Sequence, residues 1–181
     1  MFKAEEAHIN QLREWGADEI DHPGGTLLAH LVRTASLLHR WDADDDLVLA
    51  GLFHAAYGTD GFAPSLIQLD QRADLQSIIG REAEAIIYTY ACCDRTASYP
   101  LIGDAAIDCF IDRHTGAPIE MSEQALRDFV ELTYANELDL VAYNQEFAAE
   151  FGPALKQVFN QWTHLASEPA IAHLHEVLGG N

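Results

Sequence analysis

Lysine is nearly missing from this chain. Lys3 and Lys156 are its two lysines, and with the arginines they bring the bases to 10 against 29 acids, a net charge of −19 over 181 residues. Such a surface repels phosphate backbones and anionic lipid heads, so nucleic acid and membrane surfaces are expected to be absent from its partners. Cysteine is scarce too. Cys92, Cys93 and Cys109 are odd in number and lack CxxC or CxxxC spacing, which argues against a disulfide framework or a zinc knuckle and for a reducing compartment. Long apolar runs are missing as well. The longest, Leu47 to Phe53, falls far short of the ~20 residues a spanning helix needs, and the N-terminus MFKAEEAHIN has acids where a signal peptide needs apolar residues. A cytoplasmic location is the expectation.

What remains is an ordinary globular balance, 49% hydrophobic and 22% charged, in a chain sized for a single domain over residues 1–181. Clean period-two alternation is hard to find, whereas apolar residues recur at spacings of three and four nearly throughout. The expected class is all-α, a bundle of about seven helices. Helices are predicted over Phe2 to Trp15, Thr26 to Trp41, an apolar run LVLAGLF preceded by Asp44, Asp45 and Asp46, Asp70 to Ile79, Arg81 to Cys92, Ser122 to about Phe147, Pro153 to Leu165, and Glu168 to Leu178. Between Asp104 and Met121 the signals conflict, and one small hairpin is allowed there.

The informative residues are polar ones at interior positions, because burial without a partner costs on the order of 1–3 kcal/mol. His54 ends the apolar run of the most buried helix. His30 shares a face with Leu27, Thr34, Leu37 and Trp41. In the helix after Ser122, Asn136 lies near the centre of the stripe Phe129, Leu132, Thr133, Leu140, Tyr143 and Phe147, with Asp139 at its border. Each histidine taken singly reads as a core residue bonded to a carbonyl. Two on consecutive helices with a distant carboxamide read as a convergent site, since neutral imidazole is the commonest protein metal ligand. His22, in the loop ADEIDHPGG, can join them or be a solvated turn residue.

HLVRTASLL followed by GLFHAAYGTDGF resembles the first histidine and the His-Asp doublet of HD-domain metal-dependent phosphohydrolases. Extended to IIGREAEAIIY, the pattern looks most like the hydrolase domain of (p)ppGpp enzymes, and it is also similar to an uncharacterised bacterial family of HD-like proteins. The resemblance covers about the first two thirds of the chain. It implies an HD-type helical bundle in which His30 is the first metal-binding histidine, His54 the doublet histidine and Asn136, in YANELD, the position of the final aspartate. The departures are specific. The doublet aspartate is Ala55, which has no ligand atom, and Gly58 and Thr59 occupy the stretch of the acidic pair found in the (p)ppGpp hydrolases.

Asp139 is an alternative last ligand. Metal candidates are therefore His30, His54, Asn136 and His22, and a nitrogen-rich set suits a divalent transition metal, zinc, iron or manganese, better than magnesium. Asp139, Tyr57 and Thr59 are the candidates for catalytic or pocket-mouth contacts. Arg33 and Arg81, with Arg95 and Arg113, are the cations available to a substrate phosphate. Two functions compete: a metal-dependent hydrolase of a small phosphorylated or nucleotide-like substrate, and a metal-free descendant that binds a small molecule or a partner. A homodimer fits either. A third reading makes Cys92 or Cys93 a nucleophile.

Overall fold

Polar side chains cap helix after helix where the chain turns from polar to apolar. Thr26, Asp44, Asp94, Ser122, Asn144 and Ser167 each accept a hydrogen bond from a first-turn backbone N–H. The computed structural model describes residues 6–102 and 110–179. Its elements run α1 (Glu6–Glu14), β1 (Asp21–His22), β2 (Gly25–Thr26), α2 (Leu27–Arg40), α3 (Asp45–Phe53), α4 (Arg72–Ile79), α5 (Arg81–Cys92), α6 (Arg95–Ser98), β3 (Phe110–Ile111), β4 (Pro118–Ile119), α7 (Glu123–Tyr143), α8 (Gln145–Trp162) and α9 (Glu168–Leu178). The class is all-α, as the periodicity predicts. Nine helices occur among the described residues rather than about seven, one of them the four-residue α6 that Asp94 caps.

Helix α7 runs through the centre of the bundle. From Phe129 to Val141 every residue is buried, and α2, α3, α5, α8 and α9 all pack against it. Helix α3 is apolar on all sides, which is the pattern of a helix wrapped by others. It approaches α2 unusually closely. A Cβ on Gly51 would lie 2.4 Å from Leu38 Cδ1 and 3.4 Å from the Ala35 Cα, so a larger residue here would push the Leu38 side chain aside at the α2–α3 contact that brings His30 and His54 together.

Two expectations are corrected at the C-terminal half. The long helix stops at Tyr143, not Phe147, because Asn144 is extended (φ −139°) and its side chain accepts from Phe147 N, opening α8 instead. Pro153 does not begin a helix; it lies inside α8, where its ring removes the backbone bond to Ala149 and favours a bend.

The expected hairpin is present in part, with Phe110 opposite Ile119 and Ile111 opposite Pro118; residues 103–109 lie outside the described residues, as do Phe2 to Glu5 of the predicted first helix. A second hairpin forms in the predicted loop, with Asp21 opposite Thr26 and His22 opposite Gly25. Its two-residue turn, Pro23–Gly24, has glycine at φ 82°, the conformation that follows proline in a type II turn. No helix among the described residues is long and apolar enough to cross a membrane.

Candidate functional site

Four elements bring polar atoms to one buried point. His30 on α2 is fully buried, and its Nδ1 lies 2.7 Å from Asp139 Oδ2 on α7. Arg33, one helical turn along α2, clasps the same carboxylate through Nε (2.7 Å) and Nη2 (2.9 Å). Burial alone would raise the Asp139 pKa, but the bonds from His30 and Arg33 outweigh it and hold the group below the ordinary carboxylate range. An ionised Asp139 only accepts, so the proton in that bond sits on His30 Nδ1.

His54 caps the C-terminus of α3, and its Nδ1 lies 2.8 Å from the Gly51 carbonyl, which again fixes the proton on Nδ1. Burial, followed by the neighbouring His30, pushes its pKa down to about 3, so the imidazole is neutral. Asn136 donates Nδ2 to Glu137 Oε1 at 3.0 Å, and Arg95 Nη1 donates to the same oxygen at 2.8 Å. Asn136 Oδ1 is thereby turned to His30 Nε2, 2.9 Å away, and His54 Nε2 lies 3.3 Å from that nitrogen. Three acceptor atoms therefore face one another, each on a side chain whose other polar atom is tied down. Such a set calls for a cation, either a proton on His30 Nε2 or a metal ion.

The donor set fits a first-row ion. Bonds of about 2.0–2.1 Å at angles between 90° and 110° place neighbouring ligand atoms about 2.9–3.4 Å apart, and the separations of His30 Nε2 from Asn136 Oδ1 (2.9 Å) and His54 Nε2 (3.3 Å) lie in that range. Carboxylate and carbonyl partners on the far ring nitrogens are the usual supports of metal-binding histidines. The set is also lean. Among the described residues no group of three or more His, Cys, Asp or Glu side chains could share an ion, so the third donor is an amide.

The other residues picked out from the sequence divide sharply. His22 stacks on His30, ring centroids 4.3 Å apart and planes 24° from parallel, and its buried Nδ1 has no hydrogen-bond partner among the described residues. Burial, then the neighbouring His30, lowers its pKa to about 4. Asp139 meets the Nδ1 side of His30 and is a support for that ring rather than an alternative to Asn136. Thr59 is buried at the cavity wall.

Tyr57 is not at the pocket: its hydroxyl donates to the buried Glu84 at 2.9 Å, in a network that Arg72 and Gln76 complete. Arg81 is exposed at the start of α5 and does not line the cavity, because its position follows the cap at Gly80 rather than a core-facing stripe. Arg33 is committed to Asp139, with its guanidinium 4.2 Å from the Tyr143 ring centroid, and Arg113 to the Ala91 carbonyl. Cys92 and Cys93 are buried, and burial drives the Cys93 thiol up to about 12 and raises that of Cys92, which removes both as nucleophiles.

A cavity of about 410 Å³ opens beside the cluster. Its floor holds His22, His54, Thr59, Arg95, Asn136 and Glu137; its far wall is Leu140 and the α8 residues Phe147, Phe151, Leu155 and Val158. That wall was hidden from the sequence by the misplaced helix break, although the 147/151/155/158 spacing is helical. Glu137 and Tyr99 were also missed, the first because it reads as a solvated neighbour of Asn136.

Residues 11–95 match DUF6817, a domain of unknown function, a stretch from α1 through the two histidines to the start of α6. No curated protein matches. Across 99% of this chain and 97% of the other, the fold resembles a solved structure with a TM-score of 0.61 and 11% sequence identity. That protein is described as a metazoan orthologue of SpoT that hydrolyses ppGpp and plays a role in starvation responses. The likeness shows the fold: this chain has an HD-like, all-α helical architecture.

Proposed function

We propose that residues 1–181 form one divergent HD-type hydrolase domain, in which His30, His54 and Asn136 hold a divalent transition ion and the adjoining cavity receives a small organic substrate. The observation that carries this reading is the approach of Asn136 Oδ1 (2.9 Å) and His54 Nε2 (3.3 Å) to His30 Nε2, with Asp139, the Gly51 carbonyl and Glu137 fixing the opposite side of each side chain. A bound ion would supply Lewis acidity and lower the pKa of water. The chain's own residues do the rest. His54 stays neutral and presents a lone pair at any physiological pH. Asp139 is a positioning residue that holds the His30 ring and its tautomer. Glu137 is the carboxylate in the cavity lining and takes the proton from the attacking water, while Arg95 and Thr59 contact the polar part of the substrate.

The test is elemental analysis of the untagged chain after gel filtration, beside His30→Ala and His54→Ala. About one zinc, iron or manganese per chain, lost in both variants, is expected. No metal in the parent chain would overturn the reading. A metal-free binding protein would then stand, and one observation favours it: a single proton on His30 Nε2 satisfies Asn136 Oδ1 at 2.9 Å without any ion.

A further inference from the structure

The cavity beside the cluster is poorly made for a polyphosphate. Among the described residues that line it, Arg95 is the one permanent cation, and it is spent on Glu137 Oε1 (2.8 Å) and the Tyr90 hydroxyl (3.1 Å). The other polar side chains of the lining, His22, His54, Thr59 and Asn136, carry no permanent positive charge, and Glu137 is a carboxylate. An anion of two or more charges entering here would leave its hydration shell without gaining paired charges, which is a large penalty in a partly closed site.

The opposite wall asks for something else. Leu140, Phe147, Phe151, Leu155 and Val158 give the lining its apolar side chains, and Phe151 remains 44% exposed. A second observation points to the polar end of the occupant. Tyr99 lines the same cavity, and its hydroxyl is buried with no hydrogen-bond partner among the described residues. A buried phenol keeps its proton and needs an acceptor, so an unmet donor at a ligand cavity marks where a ligand oxygen belongs.

We infer that the cavity binds an uncharged molecule with an apolar body, seated on the α8 wall, and one oxygen acceptor that receives the Tyr99 hydroxyl hydrogen. Arg95 N–H groups not used by Glu137 and Tyr90 lie at the same end. The volume, near the lower limit of the roughly 300–1,000 Å³ typical of ligand pockets, fits one or two fused rings or a short chain rather than a nucleotide with two phosphate groups. The inference rests on the cluster as the working site, and it names the class of substrate that the site accepts.

The probe is prodan, a neutral naphthyl ketone with one carbonyl oxygen whose emission shifts to the blue on leaving water. Titrated against the full chain, it should bind one to one. Tyr99→Phe should weaken it by about three- to tenfold, the worth of one neutral hydrogen bond. Phe151→Arg, a change at an exposed residue that leaves the core alone, should weaken it by about tenfold or more. GDP at millimolar concentration should not displace it. Absence of saturable binding, equal binding by both variants, or displacement by GDP would each overturn the inference. Because the binding is read without turnover and with chelator present, loss of the metal reading leaves this result standing, and the reverse also holds.

Discussion

Replacing Asp139 by asparagine removes a charge and reverses one of its two hydrogen-bonding ends while keeping its shape. Asp139 is 1% exposed and accepts three short bonds, from Arg33 Nε at 2.7 Å, Arg33 Nη2 at 2.9 Å and His30 Nδ1 at 2.7 Å. An amide offers one acceptor atom to donors on both sides, so its NH₂ must face another N–H. Breaking a buried ion pair from one side costs about 3–5 kcal/mol, because the partner charge is left uncompensated. Arg33 is 20% exposed and can turn partly to water, which places the expectation near 3 kcal/mol. In a chain of this length that is a fall in Tm of about 6–12 °C. Adding Arg33→Leu removes the stranded guanidinium and should recover about 1–2 kcal/mol, a coupling that urea melts of the four members of the cycle measure. Metal affinity should fall by about 10- to 100-fold, since Asp139 orients His30. An Asp139→Asn variant that melts within about 2 °C of the parent and keeps its metal would refute the account of this carboxylate.

The remaining predictions concern groups away from the cluster. Burial alone would raise the pKa of Glu84, but its bonds from Arg72, Gln76 and Tyr57 bring it below the ordinary value, so its contribution to stability is full above the unfolded-state pKa and is lost as pH falls through the folded one. Glu84→Gln should therefore lower stability at neutral pH and flatten its decline between about pH 5 and pH 3 in urea melts; an unchanged acid limb would refute it. Native alkylation followed by peptide mapping should leave Cys92 and Cys93 unmodified until urea is added, because both thiols are buried and protonated.

Much of the bundle was legible because its signals are local. Thr26, Asp44, Ser122 and Ser167 cap helices within a residue of where composition placed them, and the all-apolar run LVLAGLF could belong only to an enclosed helix. His30, His54, Asn136 and Asp139 stood out as polar residues on apolar stripes. What periodicity could not supply is which atom faces which. Arg33 sits on the polar side of its helical wheel, yet its length carries it back to Asp139, 106 residues away in sequence. Tyr57 follows the histidine helix closely, yet the turn after Phe53 sends its hydroxyl to Glu84 instead of the cavity. Asn144 hid the α8 wall, because a residue with no helix-breaking ring was the break and the proline was not.

Alanine at position 55, where the HD resemblance expects an aspartate, and the binding of Asp139 by Arg33 act in the same direction. Together they leave the convergence point with two imidazoles and an amide, the nearby Asp139 carboxylate being already bonded to a guanidinium. Hard ions such as magnesium depend on oxygen ligands, whereas zinc and iron accept imidazole readily. In the cavity, Arg95 is paired with Glu137 and the α8 residues of the lining are apolar. A cavity lined this way offers few of the paired charges that a phosphorylated guanosine requires. The charge balance, rather than the fold, is what should decide which substrate it takes.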